Sequence, residues 1–386
     1  MNTSTVCSKN QCNGCMACVD ACPQKAIEIK DELAYYNAFI KEDCCIHCNA
    51  CHRVCPNNSS VGILEPRNWY QGWARQESVR LRSASGGVAS AIASYFVENG
   101  GDVCTCVFDH GKFCFKCLES KETLRGISGS RYVKSNPEGI YRIVQQKLKG
   151  GKKILFIGLP CQVDALKHFI KADMQDNLYT VDLICHGTPS PRLLEVFLQQ
   201  YGYSLQTLND IQFREKTGFQ VSSLGKRIAA VAGVNDRYTI GFLQGLFYTD
   251  NCYNCPYATL RRVGDIALGD SWGSNLSEDE KQKGISLILI QTKKGKFIID
   301  QANLHKEEVD LGRAVENNPQ LKSPVAKPDK REQFFACIRA GKNFNTAVFR
   351  CCRKKSIKQE IKKVLIQLKV LGGGKTLYGI CIDRKP

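Results

Sequence analysis

The sequence has no run of 18 or more apolar residues, so no segment of it is expected to cross a membrane as a helix. Its opening, Met1 to Lys9, lacks the apolar core of a secretory signal, and the chain is expected to be cytoplasmic. Acidic residues are scarce at one end: Leu321 to Pro386 hold 17 Lys and Arg against 4 Asp and Glu, a net of +13 out of the formal +17. The preceding 320 residues carry only +4, so the basic character belongs to a tail rather than to the body. No nucleic-acid-binding motif or aromatic interleaving accompanies those lysines, and no nucleic-acid partner is expected.

What the chain has in excess is cysteine, 22 in 386 residues. In a small secreted chain that would suggest disulfides. In a long chain without a signal core it points to metal and redox chemistry under reducing conditions. The length allows two or three domains, and a hydrophobic content of 43% can fill their cores.

Two stretches repeat one pattern. Cys12-x2-Cys15-x2-Cys18-x3-Cys22-Pro23 recurs 33 residues on, from Cys12 to Cys45, as Cys45-x2-Cys48-x2-Cys51-x3-Cys55-Pro56. A 4Fe–4S cluster needs four thiolates, and gaps of two let three sulfurs converge from one loop. The fourth is usually exchanged between loops. One cluster then takes Cys12, Cys15, Cys18 and Cys55, and the other Cys45, Cys48, Cys51 and Cys22. Zinc knuckles usually pair two ligands with two, and do not fit three in a row plus one. Cys7 and Cys44 lie outside the pattern. Residues 1–65 therefore read as an α+β dicluster ferredoxin module, with short strands at Ala26–Ile29 and Ala38–Ile40 and a linker at Leu64–Asn68.

A second domain is expected over 79–325, its N-terminal part ending at 160 and its C-terminal part beginning at 161. Ser85-Gly86-Gly87 precedes a helix over Val88–Glu98, with Ser85 as a candidate N-cap. The glycines and the helix start would also suit a phosphate, although a plain cap is the simpler reading. Strands are expected at Asp102–Asp109, Lys153–Gly158, Tyr179–Ile184, Arg227–Val231 and Ile285–Ile290, with helices at Gln162–Phe169 and Phe297–Asn303. Strand and helix alternate around Gly158 and Ile184, which argues an α/β domain with a mixed, partly parallel sheet. Cys114-x2-Cys117 has a spacing that could suit zinc, but positions three apart on a strand face opposite sides, so Cys104, Cys106, Cys114 and Cys117 read mainly as buried small hydrophobes, with a metal role as the alternative. The loop Gly129-Ser130-Arg131 can hold a phosphate or simply turn the chain.

Cys161 and Cys185 both fall at C-terminal strand ends, where such sheets place their sites. With Cys252 and Cys255 they make four thiols on three loops, the number a third 4Fe–4S cluster requires. The alternatives are that Cys252 and Cys255 bind nothing, or that Cys161 is a redox-active thiol activated by a helix N-terminus. The tail, 326–386, reads as basic and helical. In Lys355–Lys369 the residues Ile357, Ile361, Val364, Leu365 and Leu368 share one face opposite lysines. Such a helix can lie on an anionic membrane or an acidic partner, but packing on its own protein with a solvated lysine face is the favoured expectation.

The chain resembles the beta subunits of coenzyme F420-reducing hydrogenase and F420-dependent formate dehydrogenase, in the form fused to a dicluster ferredoxin. The motifs are Ser85-Gly86-Gly87, Gly129-Ser130-Arg131-Tyr132-Val133, Gly158-Leu159-Pro160-Cys161-Gln162, Asp182-Leu183-Ile184-Cys185-His186-Gly187, Cys252-Tyr253-Asn254-Cys255-Pro256-Tyr257 and Gly269-Asp270-Ser271-Trp272-Gly273. The resemblance spans about residues 5–310 and leaves the tail outside. It implies FAD, held in part by Ser85, Gly86, Gly87, Gly129, Ser130 and Arg131, and it supports the third cluster. It also implies coenzyme F420 as one candidate substrate. His186 and Asp270, beside the motifs, are candidate proton donors to a flavin. The expected function is an iron–sulfur flavoprotein oxidoreductase fed by ferredoxin or a partner oxidoreductase and acting on a small-molecule acceptor. The alternatives are a non-catalytic electron-transfer subunit of a larger complex and an iron–sulfur redox sensor.

Overall fold

The computed structural model describes residues 4–59, 62–216 and 218–371, so the end of the expected tail, 372–386, lies outside the described residues. The cysteine repeat folds as a small lobe around an antiparallel hairpin of β1 (Ile27–Asp31) and β2 (Tyr36–Ile40). Two short helices, α1 (Ala17–Ala21) and α2 (Ala50–Arg53), start at the same offset as Cys12 and Cys45. The repeat reaches into the backbone. Gly14 and His47 take φ of 67° and 53°, and Met16 and Asn49 take 60° and 58°. A left-handed residue other than glycine costs about 1–2 kcal/mol. Its return at matched positions marks the turns that curl each loop around a centre.

The remaining strands are β3 (Asn68–Ala74), β4 (Asp102–Asp109), β5 (Lys112–Leu118), β6 (Ile154–Gly158), β7 (Leu178–Leu183), β8 (Gln212–Glu215), β9 (Gly218–Ser223), β10 (Lys226–Arg227), β11 (Ile266–Asp270), β12 (Ser286–Ile290) and β13 (Leu304–Glu308). Eight of them form one mixed sheet in the order β13-β3-β12-β11-β7-β6-β4-β5, and β8 to β10 form a separate antiparallel sheet. The central four, β11, β7, β6 and β4, run parallel, and the outer pairings are antiparallel.

Every residue of β6 is buried, because helices cover both faces. The principal helices are α3 (Val88–Glu98), α4 (Ile140–Lys149), α5 (Pro160–Phe169), α6 (Pro191–Gln199), α7 (Arg237–Leu243) and α8 (Lys293–Gln301). Leu155 and Ile157 join Ile92 and Phe96 of α3 and Ile298 of α8 in one core. Ile154 and Phe156 join Tyr141 of α4 and Leu166 of α5 in the other. The alternation along β6 thus divides the two layers.

Several boundaries differ from expectation. β3 belongs to the large sheet, so the α/β body begins near Asn68 rather than at Val79. The N-cap of α3 is Gly87, at φ 82°, rather than Ser85. Of the strand expected at Arg227–Val231 only Arg227 is in one, as the end of the two-residue strand Lys226–Arg227. α8 starts at Lys293, four residues before Phe297, because the Thr292 side chain caps it by accepting the Gly295 N–H.

The lobe is fastened to the body by polar contacts. The Asp20 carboxylate accepts the Gly139 and Tyr141 N–H groups at 2.8 and 3.1 Å, capping α4 from outside its own segment. The Tyr141 hydroxyl donates to the Cys15 carbonyl at 2.7 Å. Ser190 and Arg192, at the start of α6, hold Asp31 of the hairpin.

The last described helices are α9 (Arg331–Arg339), α10 (Phe344–Cys351) and α11 (Arg353–Gln367). Here the expectation of a tail from 326 is corrected. Phe334, Phe335 and Phe344 are fully buried beside Phe197, Tyr238 and Phe247. The buried Arg331 donates to the Ala34 and Tyr248 carbonyls, binding α9 to both lobe and body. Only α11 lies at the periphery. Phe344→Ala is therefore expected to cost about 3–5 kcal/mol in chemical denaturation. Ile361→Ala on α11 is expected to change stability by no more than about 0.5 kcal/mol.

Candidate functional site

In the lobe, the fourth cysteine of each loop lies with the other loop's first three. Cys22, Cys45, Cys48 and Cys51 line one cavity of about 180 Å³. Cys55 lies against Cys15 and Cys7 instead. The two copies also match in how the backbone serves sulfur. The Gly14 N–H points to Cys12 Sγ and the His47 N–H to Cys45 Sγ, each at 3.4 Å. The Ala26 N–H donates to Cys22 Sγ at 3.2 Å. N–H groups aimed at sulfur stabilise thiolate. The donor set and its geometry fit a cluster at each position, and the outer set also lines a cavity.

The two sets differ in exposure. Cys48 is exposed and Cys45 half-buried, whereas Cys12, Cys15, Cys18 and Cys55 are buried. The buried set faces the body, where Cys15 shares a hydrophobic cluster with Tyr257, Val163 and Cys161. Cys7, which spacing excluded, packs between Cys12 and Cys55, with Asn57 Nδ2 3.6 Å from its sulfur.

The third set assembles at the carboxyl edge of the parallel strands. Cys161 follows β6 as the second residue of α5. Pro160 at the first position has no N–H to lose there, and Gln162 Oε1 accepts the Leu159 N–H at 2.9 Å. The motif around Cys161 is therefore in part a helix start. Cys185 follows β7, and its sulfur accepts the Gly187 N–H at 3.3 Å. A Cβ on Gly187 would come within 2.4 Å of the Tyr248 ring, so only glycine fits. Cys252 Sγ accepts the Thr188 N–H at 3.4 Å.

Burial, then repulsion from Cys252 and Cys255, pushes the Cys185 thiol up to about 12. Burial likewise raises Cys161 well above its ordinary value and Cys255 to about 11. Each of Cys161, Cys185 and Cys255 is raised further by repulsion from others of the set, because the fold brings the four sulfurs close together. Charge that Cys161, Cys185 and Cys255 resist as bare thiolates is charge that a cationic iron–sulfur core would neutralise, so the set also fits a cluster. Between this set and the buried lobe set stands Lys134, itself buried, with its ammonium donating to the Asn13 carbonyl at 2.9 Å. Its positive charge favours thiolate at Cys15, Cys161 and Cys185. Nothing in the local sequence marks Lys134, because its partners lie far along the chain.

The residues expected to hold a flavin divide. Gly86 has its N–H on Ser286 Oγ at 3.1 Å, and a Cβ there would meet the Gly72 carbonyl at 2.4 Å. Ser85 Oγ donates to the Ile285 carbonyl at 2.9 Å. These two residues serve close packing between the α3 entry and strands β3 and β12. Gly87 leaves the start of α3 without a side-chain cap. Arg131 folds onto its own loop and donates to the Gly126, Ser128 and Gly129 carbonyls, while its buried Nε lacks a partner. Ser130 is within reach of the Tyr132 hydroxyl, as is Arg214.

Arg214 is among the residues that sequence reasoning missed. Its guanidinium grips both oxygens of Asp270 at 2.5 and 2.9 Å and lies over the Trp272 ring. Asp270 thus sits in a two-point ion pair with a buried guanidinium. Lys216 donates to the Arg80 carbonyl at 2.5 Å. Burial and the nearby Arg80 and Arg214 charges push its pKa down to about 8. Trp73 lies against Arg80, 4.1 Å from its ring centre. Cations and indole rings therefore meet at this end of the sheet, an arrangement that fits an anionic aromatic ligand such as a flavin nucleotide. His186 is exposed, with Nδ1 2.6 Å from Gln320 Nε2.

The other cysteine group is corrected. Cys104 and Cys117, opposite each other on β4 and β5, form a disulfide. Cys114 packs in the core on the opposite sheet face from Cys117. They do not gather as a metal site. A hydrogen-bonded chain also links the lobe to the third set: Ser59 meets His168 Nε2, Asp164 holds His168 Nδ1, and the Tyr257 hydroxyl donates to Asp164.

Family models match most of this architecture. The N-terminal model of the coenzyme F420 hydrogenase/dehydrogenase beta subunit covers residues 69–138, and its C-terminal model covers 151–314. A 4Fe–4S dicluster domain model covers residues 11–60. An uncharacterised protein of Methanocaldococcus jannaschii is 24% identical over 83% of this chain and 95% of its own length. The coenzyme F420-dependent sulfite reductase of the same organism is 24% identical over 81% of this chain, which spans only 48% of that enzyme. A chain of the F420-reducing [NiFe] hydrogenase complex from Methanosarcina barkeri superposes with a TM-score of 0.46 and 19% identity, over 66% of this chain and 91% of its own. From residue 69 to residue 314, behind a 4Fe–4S dicluster domain, the chain belongs to the coenzyme F420 hydrogenase/dehydrogenase beta subunit family of iron–sulfur oxidoreductases.

Proposed function

We propose that this chain is a cytoplasmic iron–sulfur flavoprotein oxidoreductase that passes electrons between a soluble donor and a small-molecule acceptor through FAD. The observation that carries the reading is the progression of three cysteine sets: a half-exposed one, a buried one, and one at the carboxyl edge of the sheet. Cys22, Cys45, Cys48 and Cys51 would hold the outer cluster. Cys12, Cys15, Cys18 and Cys55 would hold the inner one, and Cys161, Cys185, Cys252 and Cys255 the third. Bound clusters supply single-electron transfer, and a bound flavin couples single electrons to two-electron chemistry. The chain's own residues do the rest. Backbone N–H groups at Cys12, Cys45, Cys185 and Cys252 stabilise thiolate. Lys134 supplies positive charge where the inner and third sets approach. Arg80, Arg214 and Lys216, with Trp73 and Trp272, would receive the anionic aromatic cofactor or substrate.

A second reading is supported by the family description as a beta subunit, and by the fact that the chain spans about half of the sulfite reductase it matches. The chain would then be an electron-transfer subunit of a larger complex. It would reduce dyes alone and turn over a metabolite, coenzyme F420 among the candidates, only with its partner.

Anaerobically purified protein is expected to hold about twelve iron atoms and one FAD per chain, at four irons per cluster. Cys185→Ala is expected to lower iron to about eight and leave the lobe's paramagnetic signals intact. About eight irons and no flavin in the unaltered chain would overturn the reading. Lys134→Met is expected to make the potential of the inner or third cluster more negative by tens of millivolts, up to roughly 100 mV for a unit charge at this range. Redox titration followed by electron paramagnetic resonance measures that shift.

A further inference from the structure

The helix α11 presents its apolar face to solvent. Ile357, Ile361, Val364 and Leu368 are 39%, 55%, 51% and 67% exposed, and they follow one another at helical spacing. The side of α11 that meets the body is a different one. Ser356 is buried, Gln359 Oε1 accepts the Asn235 N–H at 2.9 Å, and Glu360 pairs with Arg237 at 2.8 Å. At 100° per residue, Ser356 and Gln359 lie about 110° and about 170° from the centre of the apolar stripe, and Glu360 about 70° from it on the same side as Ser356. The expectation that this stripe packs on its own protein is thus reversed. The polar side is docked and the apolar side is open.

Charge selects the occupant. From Arg353 to Lys369 the chain has seven basic residues and one acid, Glu360, which is already paired. Among the described residues none of the lysines of α11 has an ion-pair partner. Lys354, Lys358 and Lys362 run along one flank of the stripe. A strip of hydrocarbon about three turns long, bordered by cations, matches a surface that offers anionic groups above an apolar layer.

The geometry points to α11 as an amphipathic helix that holds the protein against an anionic lipid surface, its stripe inserted at the headgroup boundary and its lysines on the headgroups. This interaction surface is independent of the redox reading. It would keep the protein at a membrane that no helix of the described chain crosses.

The test is co-sedimentation of the full-length, cluster-loaded protein with vesicles of mixed phosphatidylglycerol and phosphatidylcholine, beside vesicles of phosphatidylcholine alone. The protein is expected to bind only the anionic vesicles and to release as salt rises. Lys354→Gln and Lys358→Gln are expected to weaken binding about fivefold per lysine removed. Ile361→Asn with Leu368→Asn is expected to weaken it at least tenfold at unchanged net charge. Both sites are exposed, so iron content, visible spectrum and unfolding temperature are expected to stay as in the parent. Failure of the parent to bind anionic vesicles at low salt overturns the proposal. So does binding that responds to the lysines but ignores the apolar pair, which would be charge adsorption alone. A parent that is dimeric in analytical ultracentrifugation, with the apolar pair returning it to monomer, would assign the stripe to a second copy and overturn the proposal as well.

Discussion

Two charges that water does not reach, Asp182 and Arg262, hold the third cysteine set together. Both are buried in the protein, at the meeting point of three segments. Asp182 lies on β7, the strand that leads to Cys185. Its carboxylate accepts the Arg262 Nε–H at 2.8 Å, a second bond from the same guanidinium, and the Gly264 N–H at 2.8 Å. The remaining guanidinium N–H groups go to the Tyr257, Thr259 and Leu183 carbonyls. Arg262 therefore ties the loop bearing Cys252 and Cys255 to the strand bearing Cys185. Its backbone also pairs with Leu64, the segment that leads out of the cysteine-rich lobe. Breaking a buried pair leaves an uncompensated charge, a loss of about 3–5 kcal/mol. Asp182 in the Asp-Leu-Ile-Cys-His-Gly motif is thus as much a part of the site as Cys185, although it touches no sulfur.

Positive charge within the body follows the same logic. Buried, crowded thiols raise one another's pKa, and buried cations oppose this: Lys134 at Cys15 and Cys161, Arg262 at Cys255. At the other end of the carboxyl edge, Arg80, Arg214 and Lys216 stand together against Asp270 and Glu280. Cations close enough to lower the pKa of Lys216 are costly without an anion, and the local acids are already engaged. The excess is what an anionic ligand would relieve.

How much of this was legible in the sequence depended on distance along the chain. The cysteine loops were legible because their ligands are two or three residues apart. Central strands such as Ile154–Gly158 and Ser286–Ile290 were legible because both faces are buried and every residue reads as apolar or small. β3 was missed: Asn-Trp-Tyr-Gln-Gly-Trp-Ala carries Gln71 and Gly72 at its centre. Gln71 is buried because its amide donates to Glu307 across the sheet, 236 residues away. Gly72 is required because β13 passes so close that a Cβ would meet the His305 carbonyl at 2.3 Å. Arg214 and Lys134 were missed for the same reason: a lone cation reads as surface until the fold brings its partner to it.

The C-terminal helices separate what periodicity can tell from what it cannot. Spacing grouped Ile357, Ile361, Val364, Leu365 and Leu368 on one face, and the structure leaves all of them exposed except the half-buried Leu365. Which face a helix turns to the protein is decided elsewhere, by Asn235 and Arg237 at the start of α7, which bind Gln359 and Glu360. Two helices earlier the opposite holds. Phe334, Phe335 and Phe344 lie in a strongly basic stretch, yet they are core, packed on Phe197, Tyr238 and Phe247, while the buried Arg331 beside them is paired from within by Asp250 and by the Ala34 and Tyr248 carbonyls. Net charge therefore misjudged α9 and α10, whose apolar residues the body already needed. It remains informative for α11, where Lys354, Lys355 and Lys358 and the stripe of Ile357, Ile361, Val364 and Leu368 stay exposed.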